Sequence, residues 1–331
     1  MASTAFATLR NGDKMPLLGY GTWQAAAGEL EGPLDEALRA GYRHIDTAGA
    51  YGNEDVIGKI IQENWIATGK LKREDLFICT KLPPWGIRPG GAEKWMKSSL
   101  EKLRMDYVDM YLVHMPYTMK VYENGSPIGP DGKGHAEDDT DHVTVWKEME
   151  KLVDAGLAKS IGVSNFNKRQ IQNILDICRI KPANLQVELH MYMQQRPLVE
   201  YCHEKGIAVT AYSPIGSPGS DVVFRDRFGV NITMPDLLRN PVVVEVAKKY
   251  NKTPGQILLK HIVDRGIVAI PKSLSKERLT QNINIFDFKL EAGDVKKLDA
   301  LDNGKDGRIF DMKFIPGITN EHPKYPFNEY P

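Results

Sequence analysis

The chain has 331 residues, 42% of them hydrophobic, and its 43 basic and 43 acidic side chains balance to a formal charge of zero. This composition is typical of a folded globular protein, and the balanced charge excludes a global field that would attract nucleic acid or an anionic membrane. No apolar run approaches the ~18 residues of a membrane helix, and we expect no secretory signal because a cationic start and a long apolar region are missing. The cysteines Cys79, Cys178 and Cys202 follow no pairing pattern. We therefore expect a cytoplasmic protein with free thiols.

The first predicted element in chain order is a short hairpin, indicated by the turn Asn11-Gly12 between extended flanks. Beyond it, apolar runs too short for helices alternate with segments of helical periodicity. The eight predicted strands span residues 17–20, 42–45, 76–80, 108–113, 160–163, 185–187, 207–211 and 267–270. The main predicted helices span residues 34–40, 93–103, 143–155, 168–177, 197–205 and 254–264. A further helix is predicted from Glu54, with Asn53 as its cap.

The alternation of strands and helices predicts a parallel sheet with right-handed crossovers. Two topologies fit this alternation, an open doubly wound sheet and a closed (β/α)8 barrel. The count of eight strands, and a length modestly above the ~250 residues typical of such barrels, favour the closed form. No Gly-x-Gly-x-x-Gly fingerprint of the dinucleotide-binding open sheet occurs. We therefore expect an α/β fold, a single (β/α)8 TIM barrel domain over residues 1–331.

Extra length is concentrated in three segments, residues 116–141, 213–236 and 303–331. Long loops within a compact domain usually serve as lids or binding loops. The sequence thus predicts a barrel with an N-terminal hairpin, long βα loops and a C-terminal loop.

Polar side chains follow the predicted strands at their carboxyl ends. The second strand leads to Asp46, with Tyr51 in the loop beyond, while the third strand ends in Lys81 and the fourth in His114. Because the carboxyl ends of all strands meet on one face of a (β/α)8 barrel, where active sites are found, we expect these groups to converge.

These four residues suit proton transfer to a carbonyl oxygen. A phenol has a pKa of about 10, so Tyr51 needs a neighbour that stabilises its phenolate in order to act as an acid at neutral pH. We expect the ammonium group of Lys81 to lower the pKa of Tyr51, and Asp46 to keep that lysine charged in a partly dry site. His114 is expected to hydrogen-bond the carbonyl oxygen. A phosphate-handling barrel isomerase that uses Lys81 and His114 is an alternative interpretation.

Several motifs, in chain order, resemble those of the aldo-keto reductase family. Residues 46–54, Asp-Thr-Ala-Gly-Ala-Tyr-Gly-Asn-Glu, resemble its Asp–Tyr signature, and residues 78–81 and 111–116 resemble its lysine and histidine strands. Residues 162–166, Gly-Val-Ser-Asn-Phe, are similar to the motif that holds the nicotinamide carboxamide, and residues 270–273 resemble the segment that grips the 2′-phosphate. The resemblance runs nearly end to end. It implies a barrel that binds NADP(H) without a Rossmann fold and transfers hydride to an aldehyde or ketone.

The resemblance also implies a role for individual residues. The catalytic residues would be Asp46, Tyr51, Lys81 and His114. The cofactor-binding residues would be Gly21, Thr22, Trp23, Asp46, Ser164, Asn165, Gln186, Tyr212, Ser213, Ile215, Ser217, Lys272, Ser273, Leu274, Arg278, Gln281 and Asn282. Among them, Gln186 fits the carboxamide contact, and Tyr212 fits the position where an aromatic ring stacks on the nicotinamide. The substrate pocket would be lined by Trp23, Ala50, Tyr51, His114, Met115 and Phe224.

Lys272 and Arg278 indicate an anion site independently of the family. They place two cations near a predicted strand–helix junction, where backbone N–H groups also favour an anion. NADPH differs from NADH by one phosphate, so these cations predict a preference for NADPH. A solvated basic face is the alternative interpretation.

Three residues depart from the commonest family pattern. Met115 and Pro83 stand where many members carry tryptophan, and Gln281 stands where Glu is common, which puts one adenine contact in doubt. Because Met adapts to irregular apolar surfaces, we expect a wide substrate pocket. Its apolar wall is expected from Phe224, Phe228, Ile315, Pro316 and Ile318. Such a pocket favours steroid-like ketones and aromatic dicarbonyls over sugars, and resemblance to arthropod members adds ecdysteroid-type ketones such as 3-dehydroecdysone.

Expectations about partners follow from the same residues. Cys202 and His203 have no spaced companion pair, so we expect no metal site. We expect a monomer that binds NADPH and a small carbonyl substrate, without a nucleic-acid or membrane partner. The alternative to an enzyme is a non-catalytic NADPH-binding or structural barrel protein, against which the retention of all four catalytic residues argues.

Overall fold

The computed structural model describes residues 5–137, 140–313 and 318–328, and a ring of eight parallel strands lies at its centre. The strands in chain order are β1 (Phe6–Thr8), β2 (Lys14–Pro16), β3 (Tyr20–Gly21), β4 (His44–Asp46), β5 (Phe77–Leu82), β6 (Val108–Val113), β7 (Thr118–Met119), β8 (Ala136–Glu137), β9 (Ala158–Ser164), β10 (Asn184–Glu188), β11 (Ala208–Tyr212) and β12 (Val268–Ala269). The ring contains β3 to β6 and β9 to β12, each paired with its neighbour in parallel. The pair β1–β2 is the predicted antiparallel hairpin.

The ring closes between its first and last strands. Leu18 bridges Ala269 in parallel. The Gly19 N–H donates to the Ala269 carbonyl, and the Ala269 N–H donates to the Leu17 carbonyl, each at 2.9 Å. Closure removes both sheet edges, so the prediction of a (β/α)8 barrel is confirmed and the open-sheet alternative is excluded.

The helices surround the ring. In chain order they are α1 (Ala27–Ala40), α2 (Glu54–Ile60), α3 (Gly91–Leu103), α4 (His142–Asp154), α5 (Lys168–Leu175), α6 (Arg196–Glu204), α7 (Ser220–Phe228), α8 (Pro241–Tyr250), α9 (Pro254–Val263), α10 (Lys276–Ile283) and α11 (Ala292–Asp299). Short 3-10 turns lie at Arg73–Asp75, Pro84–Gly86 and Gly304–Gly307, and a π-helical turn at Ile61–Ile66 follows α2. All six main predicted helices are present, although α1 begins at Ala27 and runs through Pro33. In the part of the chain that the structure describes, no helix is long and apolar enough to cross a membrane.

Local capping explains where two of these helices begin. The side chains of Asn167 and Thr253 each accept the N–H of a glutamine at the third helical position, and that glutamine side chain returns to the backbone of the cap. These reciprocal bonds satisfy N–H groups that the first turn of a helix leaves free.

Asn53 precedes α2 as predicted, but its side chain does not cap the helix. Its amide nitrogen instead donates to the carbonyls of Thr22 at 3.0 Å and Ala25 at 3.2 Å, and its oxygen accepts the Thr47 hydroxyl at 2.9 Å. Asn53 therefore occupies the predicted cap position, but the expected side-chain cap is absent. Asn53 ties together the loops that follow β3 and β4, and its oxygen, the atom that a cap would use, accepts the Thr47 hydroxyl instead.

The strands of the ring alternate side chains between the barrel interior and the helices. On β5, Phe77 and Cys79 belong to an inner cluster with Met15 of the hairpin, while Ile78 belongs to the larger cluster that includes the helices. Lys81 shares the face of Phe77 and Cys79, since residues two apart on a strand point the same way. The pleat therefore carries the lysine to the top of the barrel interior.

The three predicted long segments contain some structure of their own. The antiparallel pair β7–β8 lies within residues 116–141, and α7 lies within residues 213–236. The tail contains the 3-10 turn Gly304–Gly307.

Candidate active site

One cleft of about 980 Å³ opens at the carboxyl ends of the strands. Its lining contains these predicted site residues: Gly21, Thr22, Trp23, Asp46, Ala50, Tyr51, His114, Met115, Ser164, Asn165, Gln186, Tyr212, Ser213, Ile215, Ser217, Lys272, Ser273, Leu274, Arg278, Gln281 and Asn282. Lys81 and Phe224 are wholly buried and do not line it. Nearly all of the predicted positions therefore converge on one cavity.

A buried ion pair forms the floor of this cleft. Lys81 Nζ lies 2.6 Å from Asp46 Oδ1 and donates to the Thr47 carbonyl at 2.7 Å. The Gln186 amide nitrogen donates to the other Asp46 oxygen at 2.7 Å, so Gln186 supports the carboxylate in addition to lining the cleft. Two charges removed from water need such partners, because the loss of hydration otherwise outweighs their attraction.

The lysine of this pair is held in its charged form. Burial disfavours the ammonium group, but attraction to Asp46, with smaller contributions from Tyr51 and Cys79, leaves the pKa of Lys81 above its ordinary value. Asp46 thus raises the pKa of Lys81 and favours its charged form, as predicted.

Tyr51 lies in the turn after β4 and contacts both Lys81 and His114. Its ring centroid is 5.1 Å from Lys81 Nζ and 5.7 Å from the centroid of the His114 ring. Burial raises the pKa of Tyr51 to about 12, and the positive charge of Lys81 offsets only part of that rise. Lys81 lowers the pKa of Tyr51 as expected, but the net shift is upward, because the lost hydration of a phenolate outweighs its attraction to the lysine. The phenol is therefore protonated at neutral pH.

His114 is neutral in this setting. Burial, with a further contribution from the charge of Lys81, lowers the pKa of His114 to about 3. Its ring meets the Tyr51 ring edge-on, and its Nδ1 atom has no hydrogen-bond partner among the described residues. A neutral imidazole next to the phenol is suited to bind a carbonyl oxygen by a hydrogen bond.

Asn165 connects several loops around the cleft. Its amide nitrogen donates to the His114 carbonyl at 3.0 Å and to the Ser164 hydroxyl at 3.2 Å, and it lies 3.1 Å from the Met115 sulfur. Its oxygen accepts the Tyr212 hydroxyl at 2.8 Å. The predicted carboxamide-binding and ring-stacking residues thus form one hydrogen-bonded group.

The far end of the cleft carries two cations. Lys272 and Arg278 are both exposed, and neither has an ion-pair partner among the described residues. Although part of the Lys272 side chain is exposed, partial loss of hydration, together with the nearby charge of Arg278, lowers its pKa despite the attraction of Glu29. Two cations that destabilise one another at the start of α10 fit an anion such as a phosphate. Gln281 also lines this end and donates to Glu277 at 2.9 Å.

Left-handed backbone conformations are concentrated in the cleft. Of the eight non-glycine residues with positive φ among the described residues, five line it. They are Gln24, Asn165, Ser213, Ser217 and Met312. A positive φ is unfavourable for residues other than glycine. It persists where the surrounding structure requires it, which is common at functional sites.

The apolar residues that line the end of the cleft where substrate was expected differ from those predicted from the sequence. Phe224 is fully buried behind Phe310 and Trp23 and forms no part of the lining, and Ile318 packs in the main hydrophobic core. The side chain of Phe228, with Ile315 and Pro316, lies outside the described part of the chain. The apolar lining that sequence reasoning missed comprises Trp85, Tyr117, Met119, Pro127, Ile128, Val223, Phe310 and Met312. Tyr117 and Met119 lie shortly after His114 in the sequence, so their place in the cleft was predictable from that position. No local sequence pattern predicts that Phe310 and Met312 of the tail line the cleft.

In the described ranges, no group of three or more His, Cys, Asp and Glu side chains is arranged to hold a metal ion.

Comparison with known proteins gives extensive matches. The sequence profile of the Aldo/keto reductase family matches residues 17–303. The chain is 42% identical over 333 residues to aldo-keto reductase family 1 member A1 of Gallus gallus, with 99% of each chain covered. It is 41% identical to the protein of the same name from Homo sapiens, with 97% of each covered. The structure of aldose reductase from Schistosoma japonicum is similar, with a TM-score of 0.87, 39% identity and coverage of 98% of this chain and 99% of that one.

Proposed function

We propose, since the chain belongs to the aldo/keto reductase family, that it reduces aldehydes and ketones to alcohols with NADPH, using Tyr51 as the general acid. The observation that carries this proposal is the position of the Tyr51 ring, 5.1 Å from an ammonium group that a buried Asp46 carboxylate holds at 2.6 Å. Tyr51 and His114 line the cleft, and the buried Lys81 lies beside Tyr51, which supports this role for the phenol.

The cofactor assignment rests on the donor set along the cleft. NADPH, when bound, supplies the hydride that the carbonyl carbon accepts. Lys272 and Arg278, without ion-pair partners among the described residues, would hold its 2′-phosphate, and such contacts would favour NADPH over NADH. Ser164 and Asn165 would hold the carboxamide, and the Tyr212 ring would stack on the nicotinamide.

The proton comes from the phenol. As the carbonyl carbon gains a hydride, Tyr51 gives its proton to the carbonyl oxygen, so the product is an alcohol and the phenolate regains its proton from solvent. Lys81 stabilises the negative charge that develops on the phenol, and Asp46 with Gln186 keeps the lysine in place. The neutral His114 ring orients the substrate by a hydrogen bond to the same oxygen.

The lining of the substrate end supports bulky apolar carbonyls. Met115, Tyr117, Met119, Phe310 and Met312 present thioether and aromatic surface there. Burial of apolar surface gains ~25 cal/mol per Å², so rings and alkyl groups gain more than hydroxylated chains. We therefore propose steroid-like ketones, ecdysteroid-type ketones and aromatic dicarbonyls as preferred over sugars.

The free state of the cysteines supports a reducing compartment. Cys79, Cys178 and Cys202 are all unpaired. We propose that the protein acts in the cytoplasm as a monomer, with residues 1–331 forming one domain. Size-exclusion chromatography with light scattering tests the monomer, and a mass of two chains would refute it.

The test of this function is NADPH oxidation by the purified protein with a panel of aromatic dicarbonyls, steroid ketones, small aldehydes and sugars. We expect turnover with NADPH, slower turnover with NADH, and the highest kcat/KM on the bulky apolar members. Tight NADPH binding without turnover of any carbonyl would instead identify a non-catalytic barrel protein.

A further inference from the structure

Glu188, the last residue of β10, is a fully buried carboxylate that the proposed chemistry does not use. Its oxygens accept the backbone N–H groups of Ile309 at 2.7 Å and Phe310 at 2.9 Å. His190 Nε2 lies 2.9 Å from one oxygen, and Arg308 Nη1 lies 3.8 Å from the other. Since a buried carboxylate is costly without partners, these contacts bind the tail firmly to the strand.

The tail segment that Glu188 holds supplies a wall of the substrate end. Phe310 and Met312 both line the cleft. The ring centroid of Phe310 lies 5.4 Å from that of Trp23, 5.8 Å from that of Tyr212 and 5.7 Å from that of Phe224. The position of this aromatic cluster therefore depends on where the Phe310 backbone is held.

The same strand also supports the catalytic carboxylate. Gln186 donates to Asp46 at 2.7 Å, and Glu188 follows two positions later on the same face of β10. The strand β10 therefore holds both the ion pair at the floor of the cleft and the apolar wall contributed by the tail.

We propose that Glu188 is a positioning residue that sets substrate selectivity by fixing residues 308–312 as a wall of the cleft, an inference that rests on the carbonyl reduction proposed above. A glutamine at this position has one acceptor oxygen and a donor group in place of the other, so at least one of the two tail N–H groups loses its acceptor. The wall then loosens, and substrates that bury apolar surface against it lose more than small ones.

The chain offers a matched control in Glu150 of α4. This side chain is also buried, accepts the backbone N–H groups of Arg179 at 2.7 Å and Ile180 at 2.8 Å, and has Arg179 Nε at 3.9 Å. None of these residues lines the cleft. Both amides donate to the same Glu150 oxygen, so Glu150→Gln removes the buried charge but keeps an acceptor for both, at a place where no effect on selectivity is expected.

The kinetic test compares kcat/KM for an aromatic dicarbonyl and for a small aldehyde in the wild type, Glu188→Gln, Phe310→Ala, their double variant and Glu150→Gln. We expect Glu188→Gln to lower the dicarbonyl-to-aldehyde ratio about 10-fold, chiefly through KM, which is the scale of one lost charge-assisted hydrogen bond. The double variant should lose no more than Phe310→Ala alone, because both changes act on one wall. An equal loss on both substrates, additive losses, or the same shift in Glu150→Gln would overturn the proposal.

Hydrogen exchange provides a readout that needs no activity. The peptide that carries the Ile309 and Phe310 amides should exchange faster in Glu188→Gln, while exchange at Arg179 and Ile180 should change little in Glu150→Gln, whose remaining oxygen can accept both amides. Unchanged exchange of the tail amides in Glu188→Gln would refute the positioning role. A wild type without turnover but with this exchange pattern would refute only the proposed function. If Glu188→Gln does not fold, Glu188→Asp keeps the charge and withdraws it from the two amides, with the same expectations.

Discussion

Two buried aspartates lie on strands of the barrel, at opposite ends of the ring, and each is paired with a cation beside a tyrosine ring. Asp109, near the amino end of β6, lies 2.8 Å from Arg73 Nη2 and 3.1 Å from Lys159 Nζ. These two cations lie 4.1 Å and 4.5 Å from the centroid of the Tyr107 ring. Asp109 also accepts the backbone N–H of Ile78 at 2.9 Å, so this cluster fastens the start of one strand to the next.

The cluster at the carboxyl ends contains the same chemical groups in a different setting. Lys81 is completely buried between Asp46 and Tyr51, whereas the Lys159 side chain is 41% exposed. Tyr51 lines the cleft and meets the His114 ring, while no residue of the Asp109 cluster lines it. An aspartate, a cation and a tyrosine therefore do not by themselves indicate catalysis. Their position at the carboxyl end, facing a cleft, distinguishes the two clusters.

The largest expected effect comes from exchanging each lysine for an apolar residue of similar length. In Lys81→Met the pKa of Tyr51 rises further, because the charge that lowered it is gone, and a weaker acid slows carbonyl reduction by ~10²-fold or more. Lys159→Met should stay within about twofold of the wild type, since it lies away from the cleft. Steady-state NADPH oxidation, with circular dichroism to check folding, measures both. Comparable losses in the two variants would remove the distinction between the clusters.

A second difference is that the cleft above the carboxyl-end cluster leads to exposed cations. Arg278→Ala removes a charge-assisted contact worth about 1.5–3 kcal/mol, so NADPH should bind roughly 10- to 100-fold more weakly while NADH binds as before. Fluorescence titration measures both affinities. Lys276→Ala is the matched control, because that residue starts the same helix and pairs with Glu36 away from the cleft. Equal weakening of NADPH and NADH would contradict a phosphate contact.

A smaller, selective effect is expected at the wall of the cleft. Met115→Trp adds a rigid ring, and overpacking of about 1.4 kcal/mol corresponds to about a 10-fold loss on bulky ketones, with little change on small aldehydes. Substrate-dependent kcat/KM measures this effect. NADPH affinity is measured as a control. The Met115 sulfur lies 3.1 Å from the amide nitrogen of Asn165, a predicted cofactor-binding residue, so the control shows whether the substitution disturbs the cofactor site. A uniform loss on every substrate, or a wild type that prefers sugars, would contradict a wide pocket.

The smallest expected effect is that of pH. His114 has a pKa of about 3 and Tyr51 one of about 12, so neither changes its charge between them. Reduction needs the protonated phenol, so activity is lost only as pH rises through the pKa of Tyr51. The kcat/KM for reduction should therefore be flat between about pH 6 and about pH 9. A step near the ordinary histidine pKa of about 6.5 would show that His114 titrates.

The barrel and the Asp46–Lys81 ion pair were predictable, because strand periodicity determines where both side chains lie. Once β4 and β5 are neighbours in a parallel ring, Asp46 and Lys81 must meet at its upper face. The loops were less predictable. Phe310 reaches the cleft through its bond to Glu188, 122 positions away in the chain, and no local pattern signals such a contact.

Two side chains were assigned wrongly because contacts between segments distant in the sequence, which no local pattern shows, decide what each of them touches. Asn53 serves the loops after β3 and β4 instead of capping α2, and Phe224 is buried behind the wall it was expected to form. The pKa of Tyr51 was also missed, because the cost of desolvation depends on burial that only the folded chain defines.

The central claim, that carbonyl reduction belongs to the carboxyl-end cluster, is tested most directly by changing only the two tyrosine hydroxyls. NADPH oxidation on one good carbonyl substrate is measured for Tyr51→Phe and Tyr107→Phe. Tyr51→Phe should lose ~10²-fold or more in turnover with nearly unchanged NADPH affinity, and Tyr107→Phe should stay within about twofold of the wild type. Near-normal turnover by Tyr51→Phe, or an equal loss in both variants, would contradict the account.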